Sequence, residues 1–235
     1  MSLVLTIGLL GGMSWESSAR YYQLANELVR ARLGGLHSAR LVLLSVDFAE
    51  IEELQVGDRW DEAGALLAAA AERVEAAGAD LLLLCTNTMH KVADQVAAAV
   101  DIPLLHLADA TAAAVKAAGL TTVGLLGTAF TMEQPFYRDR LASHGLTVLV
   151  PEAEDRALVH SVIYDELCLG IAAETSRAAY VAVIDRLVSA GAEGVILGCT
   201  EIELLIDQDA VGVAVFPTTR LHVEAAVDRA LAGSR

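Results

Sequence analysis

An internal repeat constrains the fold of this chain more than any other feature of its sequence. Residues 6–11 (TIGLLG) return as residues 122–127 (TVGLLG), and residues 77–80 (AGAD) return as residues 190–193 (AGAE). The two pairs lie 116 and 113 residues apart and occur in the same order. Each copy of the second pair is followed by an apolar run that ends in Cys and Thr. This pattern indicates two copies of one structural unit, each with its own set of strands.

Short apolar runs alternate with longer amphipathic or Ala-rich segments in both halves. Strands that are apolar throughout, each followed by a helix, are typical of parallel sheets covered on both faces. The sequence therefore predicts an α/β fold of two pseudo-symmetric parallel-sheet units, the first from residues 1–107 with 217–235 and the second from residues 108–216. The predicted strands are residues 4–10, 39–46, 80–85, 103–106, 122–126, 147–150, 194–197 and 213–216.

The predicted sheets also indicate where a ligand would bind. In open parallel sheets, ligands bind beyond the carboxyl ends of the strands. Two such ends that faced each other would enclose a single active-site cleft, lined by equivalent residues from both halves. We expect this arrangement to offer one chemical group on each side of a ligand.

Charge and cysteine content exclude several kinds of partner. Lys and Arg total 16 against 31 Asp and Glu, which gives a formal net charge of −15 without a basic stripe. We therefore expect no nucleic-acid partner and no membrane partner. The three cysteines form no disulfide framework, the N-terminus has no basic signal-peptide region, and no apolar run reaches the ~20 residues of a membrane span. These features predict a cytoplasmic protein with free thiols.

Metal and nucleotide sites are not predicted. The six histidines lack the spacing of metal ligands. The glycines at residues 8–12 match neither the dinucleotide-binding pattern nor the P-loop pattern. We therefore expect no cofactor.

Polar groups follow the third predicted strand of each half. Helix N–H groups just beyond such a strand can bind a carboxylate, and they favour the thiolate form of a cysteine. The third cysteine, Cys168, lies outside both positions and is expected in the core. The strand-end residues are Cys85, Thr86, Asn87 and Thr88 in the first half, and Cys199, Thr200 and Glu201 in the second.

Three segments, GGMSWESS (11–18), CTNTMH (85–90) and GCTE (198–201), resemble the aspartate/glutamate racemase family. The resemblance covers essentially the whole chain and is closest to the aspartate racemase-like branch, which includes a broad-specificity amino-acid racemase. It implies a homodimeric, PLP-independent isomerase in which one cysteine per half flanks the substrate Cα. It also implies substrate-lining roles for Met13, Ser14, Asn87, Thr88, Thr200 and Glu201. An acid/base group in each half also fits the chemistry of racemisation, because inversion of a stereocentre needs a base and an acid on opposite faces of one carbon.

The first catalytic position departs from the family pattern. The family has Cys directly before Asn-Thr-x-His, whereas this chain has Thr86 there and Cys85 one position earlier. Aligning the repeats at Gly78 and Gly191 without a gap also matches Thr86 with Cys199. We therefore favour Thr86 and Cys199 as the two acid/base groups. An irregular strand end would instead bring Cys85 into the first position, because successive strand side chains point to opposite faces.

The sequence is compatible with more than one substrate side chain and with more than one class of function. No fixed cation for a second carboxylate is evident near Phe48 or Leu158; Arg156 is the first candidate, and Gln55 could bind an acidic or a neutral side chain. The substrate is thus predicted to be an amino acid, acidic or not. Two other interpretations are a binding module that holds an amino acid without turnover, and another enzyme of the superfamily, such as a decarboxylase or maleate isomerase.

Overall fold

The computed structural model describes residues 4–232 of the chain. Within that range the chain forms two compact units: one runs to Leu107 and resumes at His222, and the other is Ala108–Leu221. The sequence-based division assigns residues 217–221 to the first half, whereas the structure includes them in the second unit. A hydrogen bond accounts for this difference: the Thr218 hydroxyl donates to the carbonyl oxygen of Leu197, which is a residue of the second unit (2.8 Å).

The first unit is a parallel four-stranded sheet with the order β2-β1-β3-β4. Its strands are β1 (Ile7–Gly11), β2 (Leu41–Ser45), β3 (Leu81–Leu84) and β4 (Leu104–Leu105). Its helices are α1 (Trp15–Leu33), α2 (Phe48–Val56), α3 (Trp60–Ala76) and α4 (Ala93–Ala98), with a 3₁₀ helix at Thr88–Val92. Helix α5 (Leu107–Ala117) then leads into the second unit.

The second unit is a parallel four-stranded sheet with the order β6-β5-β7-β8. Its strands are β5 (Thr122–Gly127), β6 (Thr147–Leu149), β7 (Gly194–Gly198) and β8 (Ala214–Pro217). Its helices are α6 (Ala129–Glu133), α7 (Pro135–Ser143), α8 (Ala153–Asp165) and α9 (Glu174–Ser189), with 3₁₀ helices at Leu167–Leu169, Thr200–Leu204 and Gln208–Ala210. Helix α10 (Thr218–Ala232) begins here and ends in the first unit. Both sheets have the same order of equivalent strands, which confirms the predicted α/β fold.

The AGAD and AGAE segments repeat because each forms the turn that connects a helix to the third strand of its unit. Gly78 has a φ of +93°, in the left-handed region that glycine adopts without strain. Asp80 then accepts a hydrogen bond from the Thr6 amide (2.7 Å), and Glu193 accepts one from the Thr122 amide (2.8 Å). The same acidic position therefore ties the start of the first strand to the start of the third strand in both units.

Each unit packs its own apolar core against its sheet. Alternate residues of the strands face this core, as expected for side chains that point to opposite faces in turn. In the first unit the core includes Ile7, Leu9, Tyr21, Leu24, Leu81, Leu83, Cys85 and Val227. In the second unit it includes Leu126, Val159, Val162, Tyr180, Ile184, Val195 and Leu197.

Candidate active site

Cys85 lies at the end of β3 with its side chain in the apolar core of the first unit. It continues the alternation of Leu81 and Leu83 and is fully buried beside Ile7 and Tyr21. Burial raises the pKa of the Cys85 thiol, because a thiolate would lose its hydration there. The thiol is therefore protonated at neutral pH and is surrounded by apolar groups.

Thr86 lies two residues beyond the end of β3 and is partly exposed. The Cys85 amide still donates to the Leu10 carbonyl oxygen (2.9 Å), as a continued ladder would, whereas the Thr86 amide turns back to the Leu84 carbonyl oxygen (2.9 Å). The tight turn at Thr86 separates it from the core-facing row of β3. Thr86 is thus a partly accessible hydroxyl group at the carboxyl end of the sheet.

The strand registers show that Thr86 and Cys199 occupy equivalent positions in their units. Leu84 pairs with Leu10 of β1, and Leu197 pairs with Leu126 of β5, the residues that correspond in the TIGLLG repeat. Thr86 and Cys199 each lie two residues beyond that pair. The hydrogen-bonded register therefore agrees with the gap-free alignment of the repeats.

His90 holds the backbone of Thr86 in place. Leu107 donates its amide to His90 Nε2 (3.1 Å), so this nitrogen is the acceptor. The proton is then on Nδ1, which donates to the Thr86 carbonyl oxygen (2.7 Å). His90 is buried in the 3₁₀ helix Thr88–Val92, and it links the strand end to the start of α5.

The turn between β1 and α1 is fixed by backbone geometry and by serine hydrogen bonds. Gly12 has a φ of +97°, and a Cβ at this position would overlap the Val46 backbone. Ser14 caps α1 by accepting a hydrogen bond from the Ser17 amide (3.2 Å). Ser17 donates its hydroxyl proton to the Cys85 carbonyl oxygen (3.4 Å). Met13 and Ser14 therefore belong to a buried turn that contacts the same strand end as Thr86.

Gln55, Asn87 and Thr88 are buried in the first unit. Gln55 extends from α2 and donates its side-chain amide to the Met89 sulfur (2.9 Å). Met89 follows Thr88 in the 3₁₀ helix, so this contact brings α2 to the segment after Thr86. The structure thus gathers the residues that the sequence singled out in this half around one strand end.

Cys199 follows β7 in the second unit and faces the carboxylate of Glu201. The thiol donates a hydrogen bond to Glu201 Oε2 (2.9 Å). Burial raises the pKa of Cys199 well above its ordinary value, and the negative charge of Glu201 raises it further. The thiol is therefore protonated in the resting protein, with a proton acceptor already in contact.

Two threonines that the sequence analysis did not single out hold the segment after Cys199. Thr200 and Thr219 join their hydroxyl groups across 2.7 Å, and Thr218 donates to the Leu197 carbonyl oxygen (2.8 Å). Thr218 and Thr219 are fully buried at the start of α10. The signal in the sequence is a pair of hydroxyl residues, Thr218 and Thr219, which follow the predicted strand 213–216 after a single proline.

Cys168 and Arg156 were considered in the sequence analysis as a core residue and as a candidate cation, and both lie in the second unit. Cys168 packs at the margin of the second core. Arg156 donates to Glu133 (3.0 Å) and to the Pro151 carbonyl oxygen (2.8 Å), so its guanidinium already has an acidic partner. Among residues 4–232, no group of three or more His, Cys, Asp or Glu side chains is arranged to hold a metal ion.

Comparison with known proteins assigns the chain to a family. Residues 10–226 match the family model for Asp/Glu/hydantoin racemases, so the chain belongs to that family. Family membership supports a racemase-type function, and thus an isomerase. No helix in the described part of the chain is long and apolar enough to cross a membrane.

Solved structures show the same fold. The crystal structure of a proposed Asp/Glu racemase from Yersinia pestis is 54% identical, with a TM-score of 0.92 over 97% of this chain and 99% of that one. An aspartate racemase homologue from Pyrococcus horikoshii OT3 is 34% identical, with a TM-score of 0.86 over 98% of this chain and 99% of that one. An aspartate racemase from Picrophilus torridus is 18% identical, covers 96% of this chain and 94% of its own, and has a TM-score of 0.75, which is a likeness of fold alone.

Proposed function

We propose that this protein is a cofactor-independent amino-acid racemase in which Cys199 and Thr86 are the two acid/base groups. The observation that carries the proposal is the hydrogen bond between Cys199 and Glu201 at the carboxyl end of β7. The contact gives the thiol an acceptor for its proton, although the negative charge of the carboxylate also disfavours the thiolate. The equivalent strand position of Thr86 in the other unit supports its role as the second group.

The proposed reaction balances as two proton transfers at Cα. Glu201 accepts the thiol proton, and the Cys199 thiolate then removes the α proton, so that the C–H bond breaks and an S–H bond forms. The electron pair from the C–H bond passes into the substrate carboxylate as an enolate. The Thr86 hydroxyl, or a water molecule that it orients, returns a proton to the opposite face of Cα. Glu201 then releases its proton to solvent, and solvent reprotonates the Thr86 site, so that no net proton is gained or lost.

Thr86 is preferred to Cys85 because of their different surroundings. Cys85 lies among apolar side chains, where burial disfavours a thiolate. Thr86 is partly exposed, and His90 fixes its backbone. A hydroxyl is a far poorer base than a thiolate, because it is almost never ionised near neutral pH. The proposed enzyme therefore has one strong base and one weaker proton donor.

The proposed substrate is a free amino acid with an acidic or a neutral side chain. Preference for a second carboxylate needs a cation that is free to pair with it. Arg156 already pairs with Glu133, and the Gln55 amide contacts Met89. The proposal therefore favours broad specificity over strict selection of aspartate or glutamate.

Exchange of the α proton with deuterated solvent tests the proposal. A panel of L- and D-amino acids is incubated with the protein, and loss of the α-proton signal and appearance of the other enantiomer are followed by NMR and chiral chromatography. A racemase exchanges the α proton and inverts the centre. Binding of amino acids without exchange would instead indicate a binding module. Release of CO₂ from a substituted malonate, with no exchange on amino acids, would indicate a decarboxylase.

A further inference from the structure

Buried polar side chains continue beyond His90 in the first unit. Thr86 lies past the residues of β3 that pair with β1 and β4, so the His90 side chain, rather than the ladder, holds its carbonyl oxygen. The Leu107 amide donates to the other ring nitrogen of His90 (3.1 Å). Leu107 begins α5 two residues after Leu105, the last residue of β4. The position of His90 is therefore tied to the short connection between β4 and α5.

His222 of α10 binds the same connection. Its Nε2 lies 2.8 Å from the Leu105 carbonyl oxygen, which can only accept, so Nε2 carries the proton. Burial, together with the nearby His90, lowers the pKa of His222 to about 3, so the ring is neutral and its Nδ1 is an acceptor. The Tyr21 hydroxyl of α1 therefore donates to Nδ1 (2.9 Å). Tyr21 and His222 are both fully buried.

The hydrogen bonds of this series all point in one direction. Each imidazole ring accepts at one nitrogen and donates from the other, in the tautomer that its neighbours impose. Hydrogen bonds aligned in this way polarise and strengthen one another. We call the set the Tyr21–Thr86 series, and its order of donation is Tyr21 to His222, His222 to the Leu105 carbonyl, the Leu107 amide to His90, and His90 to the Thr86 carbonyl.

One face of α1 reaches both residues that follow β3. Ser17 donates its hydroxyl proton to the Cys85 carbonyl oxygen (3.4 Å). Tyr21 lies one helical turn later on the same face of α1, and it reaches the Thr86 carbonyl oxygen through the series. The helix therefore constrains the backbone at both positions of the strand end.

The polar groups of the series are not needed to fill the core. Burial of a hydroxyl and two imidazoles costs free energy that their hydrogen bonds offset, and apolar side chains would occupy the same space without that cost. What the polar groups add is geometry, because a hydrogen bond fixes a distance and an angle more tightly than an apolar contact does. The series ends at Thr86, so the residue whose geometry it fixes is Thr86.

We propose that Tyr21 and His222 are positioning residues for Thr86, which they hold in the place from which its hydroxyl delivers a proton to Cα. The inference rests on the proposed racemase reaction, and it gives two core residues a part in that reaction. A displacement of about 1 Å can slow a reaction by ~10²-fold. Loss of one member of the series should therefore impair proton return by Thr86 more than proton removal by Cys199.

The ratio of inversion to exchange tests the proposal. For an L-amino acid in deuterated solvent, exchange of the α proton requires Cys199, whereas inversion also requires Thr86. Tyr21→Phe removes one hydroxyl and keeps the ring, and it should lower the ratio of inversion to exchange by about tenfold. Tyr137→Phe is the matched control, because Tyr137 is also fully buried but lies in the second unit, and the ratio should stay unchanged. Circular dichroism spectra and melting temperatures establish that each variant is folded.

Conservative replacement of His222 separates hydrogen bonding from packing. A Gln side chain can place an N–H group near the position of Nε2 and still donate to Leu105, whereas a Leu side chain only fills the space. His222→Gln should therefore retain more of the wild-type ratio of inversion to exchange than His222→Leu. Equal ratios in these two variants, both folded, would assign His222 to packing alone and overturn its role as a positioning residue.

NMR of protein with ¹⁵N-labelled histidine tests the series without a substrate. Long-range ¹H–¹⁵N spectra should show the Nε2–H tautomer at His222 and the Nδ1–H tautomer at His90, and the carbonyl ¹³C signal of Thr86 should shift in Tyr21→Phe. The opposite tautomer at either ring, an unmoved Thr86 signal, or an unchanged ratio of inversion to exchange in folded Tyr21→Phe would overturn the proposal. Absence of exchange in the wild type would instead contradict the proposed reaction, and the NMR signals would still show whether the series holds Thr86.

Discussion

The thiol of Cys199 and the carboxylate of Glu201 share a hydrogen bond of 2.9 Å. The 3₁₀ helix Thr200–Leu204 follows Cys199 and carries the Glu201 side chain back towards the sulfur. Because a negative charge on the carboxylate disfavours a second one on the sulfur, loss of the thiol proton depends on the state of Glu201. The pair, rather than the thiol alone, is therefore the unit that our proposed chemistry uses.

Replacement of Cys199 by Ala should remove the principal base. We expect α-proton exchange from L-amino acids to fall by at least ~10²–10⁴-fold, the usual contribution of a general base. Ser189→Ala is the control, because Ser189 is exposed at the end of α9 in the same unit. Its exchange rate should stay close to that of the wild type. Undiminished exchange in Cys199→Ala would exclude this residue as the base.

Replacement of Glu201 by Gln should make the Cys199 thiol more acidic. The negative charge of Glu201 is one cause of the raised pKa, so its removal should lower the pKa, although burial will still hold it up. The fraction of thiolate at a given pH should therefore rise, and alkylation of Cys199 by iodoacetamide should reach its full rate at lower pH. Catalytic exchange should nevertheless slow, because Gln cannot accept the thiol proton.

The exposed residue Glu154 provides a control for this experiment. Glu154→Gln removes one carboxylate from the surface of α8 in the same unit and should leave the alkylation profile of Cys199 unchanged. An unchanged profile in Glu201→Gln as well would show that the carboxylate does not influence the thiol.

The repeat made the fold predictable because its determinants are local. A glycine in the left-handed region at Gly78, followed by an acidic residue that accepts the amide of the first strand, acts within one helix–strand turn. Such determinants leave a recognisable sequence pattern twice in the chain. The parallel direction of the strands then followed from the alternation of apolar strands with helices, whereas their order in each sheet was seen only in the structure.

The contacts within the candidate site were less predictable because they join distant segments. Thr219 meets Thr200 only because α10 starts beside the end of β7. Gln55 stays a candidate for binding the substrate side chain, and the contact of its amide with Met89 could not be read from the sequence because α2 and the 3₁₀ helix are far apart in the chain. Glu201 was likewise expected to line the substrate, and its contact with Cys199 depends on a 3₁₀ helix that the sequence does not indicate.

His222 should make the folded state sensitive to acid. Burial in the first unit, reinforced by the nearby His90, lowers the pKa of His222 to about 3, and its ring nitrogens contact the Tyr21 hydroxyl and the Leu105 carbonyl oxygen. The unfolded chain binds a proton at about pH 6.5, whereas the folded protein resists it. The contribution of His222 to stability is therefore complete above pH 6.5 and is lost as the pH falls towards about 3.

Chemical denaturation at several pH values measures this effect. Across the window below pH ~6.5, the free energy of unfolding of the wild type should include a decline of about 1.4 kcal/mol per pH unit from this one group. His222→Gln should remove that component, while His37→Gln, on an exposed residue of the same unit, should retain it. Equal slopes in all three proteins would contradict the assignment.

Aspartate and glutamate should be no better than ordinary substrates. A guanidinium that bound the side-chain carboxylate of the substrate would contribute ~1.5–3 kcal/mol to the free energy of binding through charge-assisted hydrogen bonds. Arg156, however, already pairs with Glu133. We expect L-Asp to exchange no faster than L-Met or homoserine, and Arg156→Gln to leave the ratio of these rates unchanged. A hundredfold preference for L-Asp that disappears in Arg156→Gln would show that the arginine leaves Glu133 to bind the substrate.

The difference between Thr86 and Cys199 should make α-proton exchange with solvent faster for one enantiomer than for the other. The face of Cα that meets Cys199 can lose its proton to a thiolate, whereas the opposite face meets a hydroxyl. We propose that Cys199 faces the α proton of the L-enantiomer, so initial exchange should be faster with L- than with D-amino acids. The final mixture stays equal, because a catalyst does not change the equilibrium. Thr86→Cys should supply a second thiol and raise the rate of α-proton exchange from D-amino acids, so that both enantiomers exchange readily.

Cys85→Ala separates the two candidates for the first group. Removal of its buried sulfur should lower the stability of the first unit, as other large-to-small core substitutions do, and leave the exchange rates nearly unchanged. If Cys85→Ala abolished exchange in a protein that is still folded, and Thr86→Cys had no effect, Cys85 would be the first acid/base group. The side chain would then have to leave the core row of Leu81 and Leu83 when substrate binds.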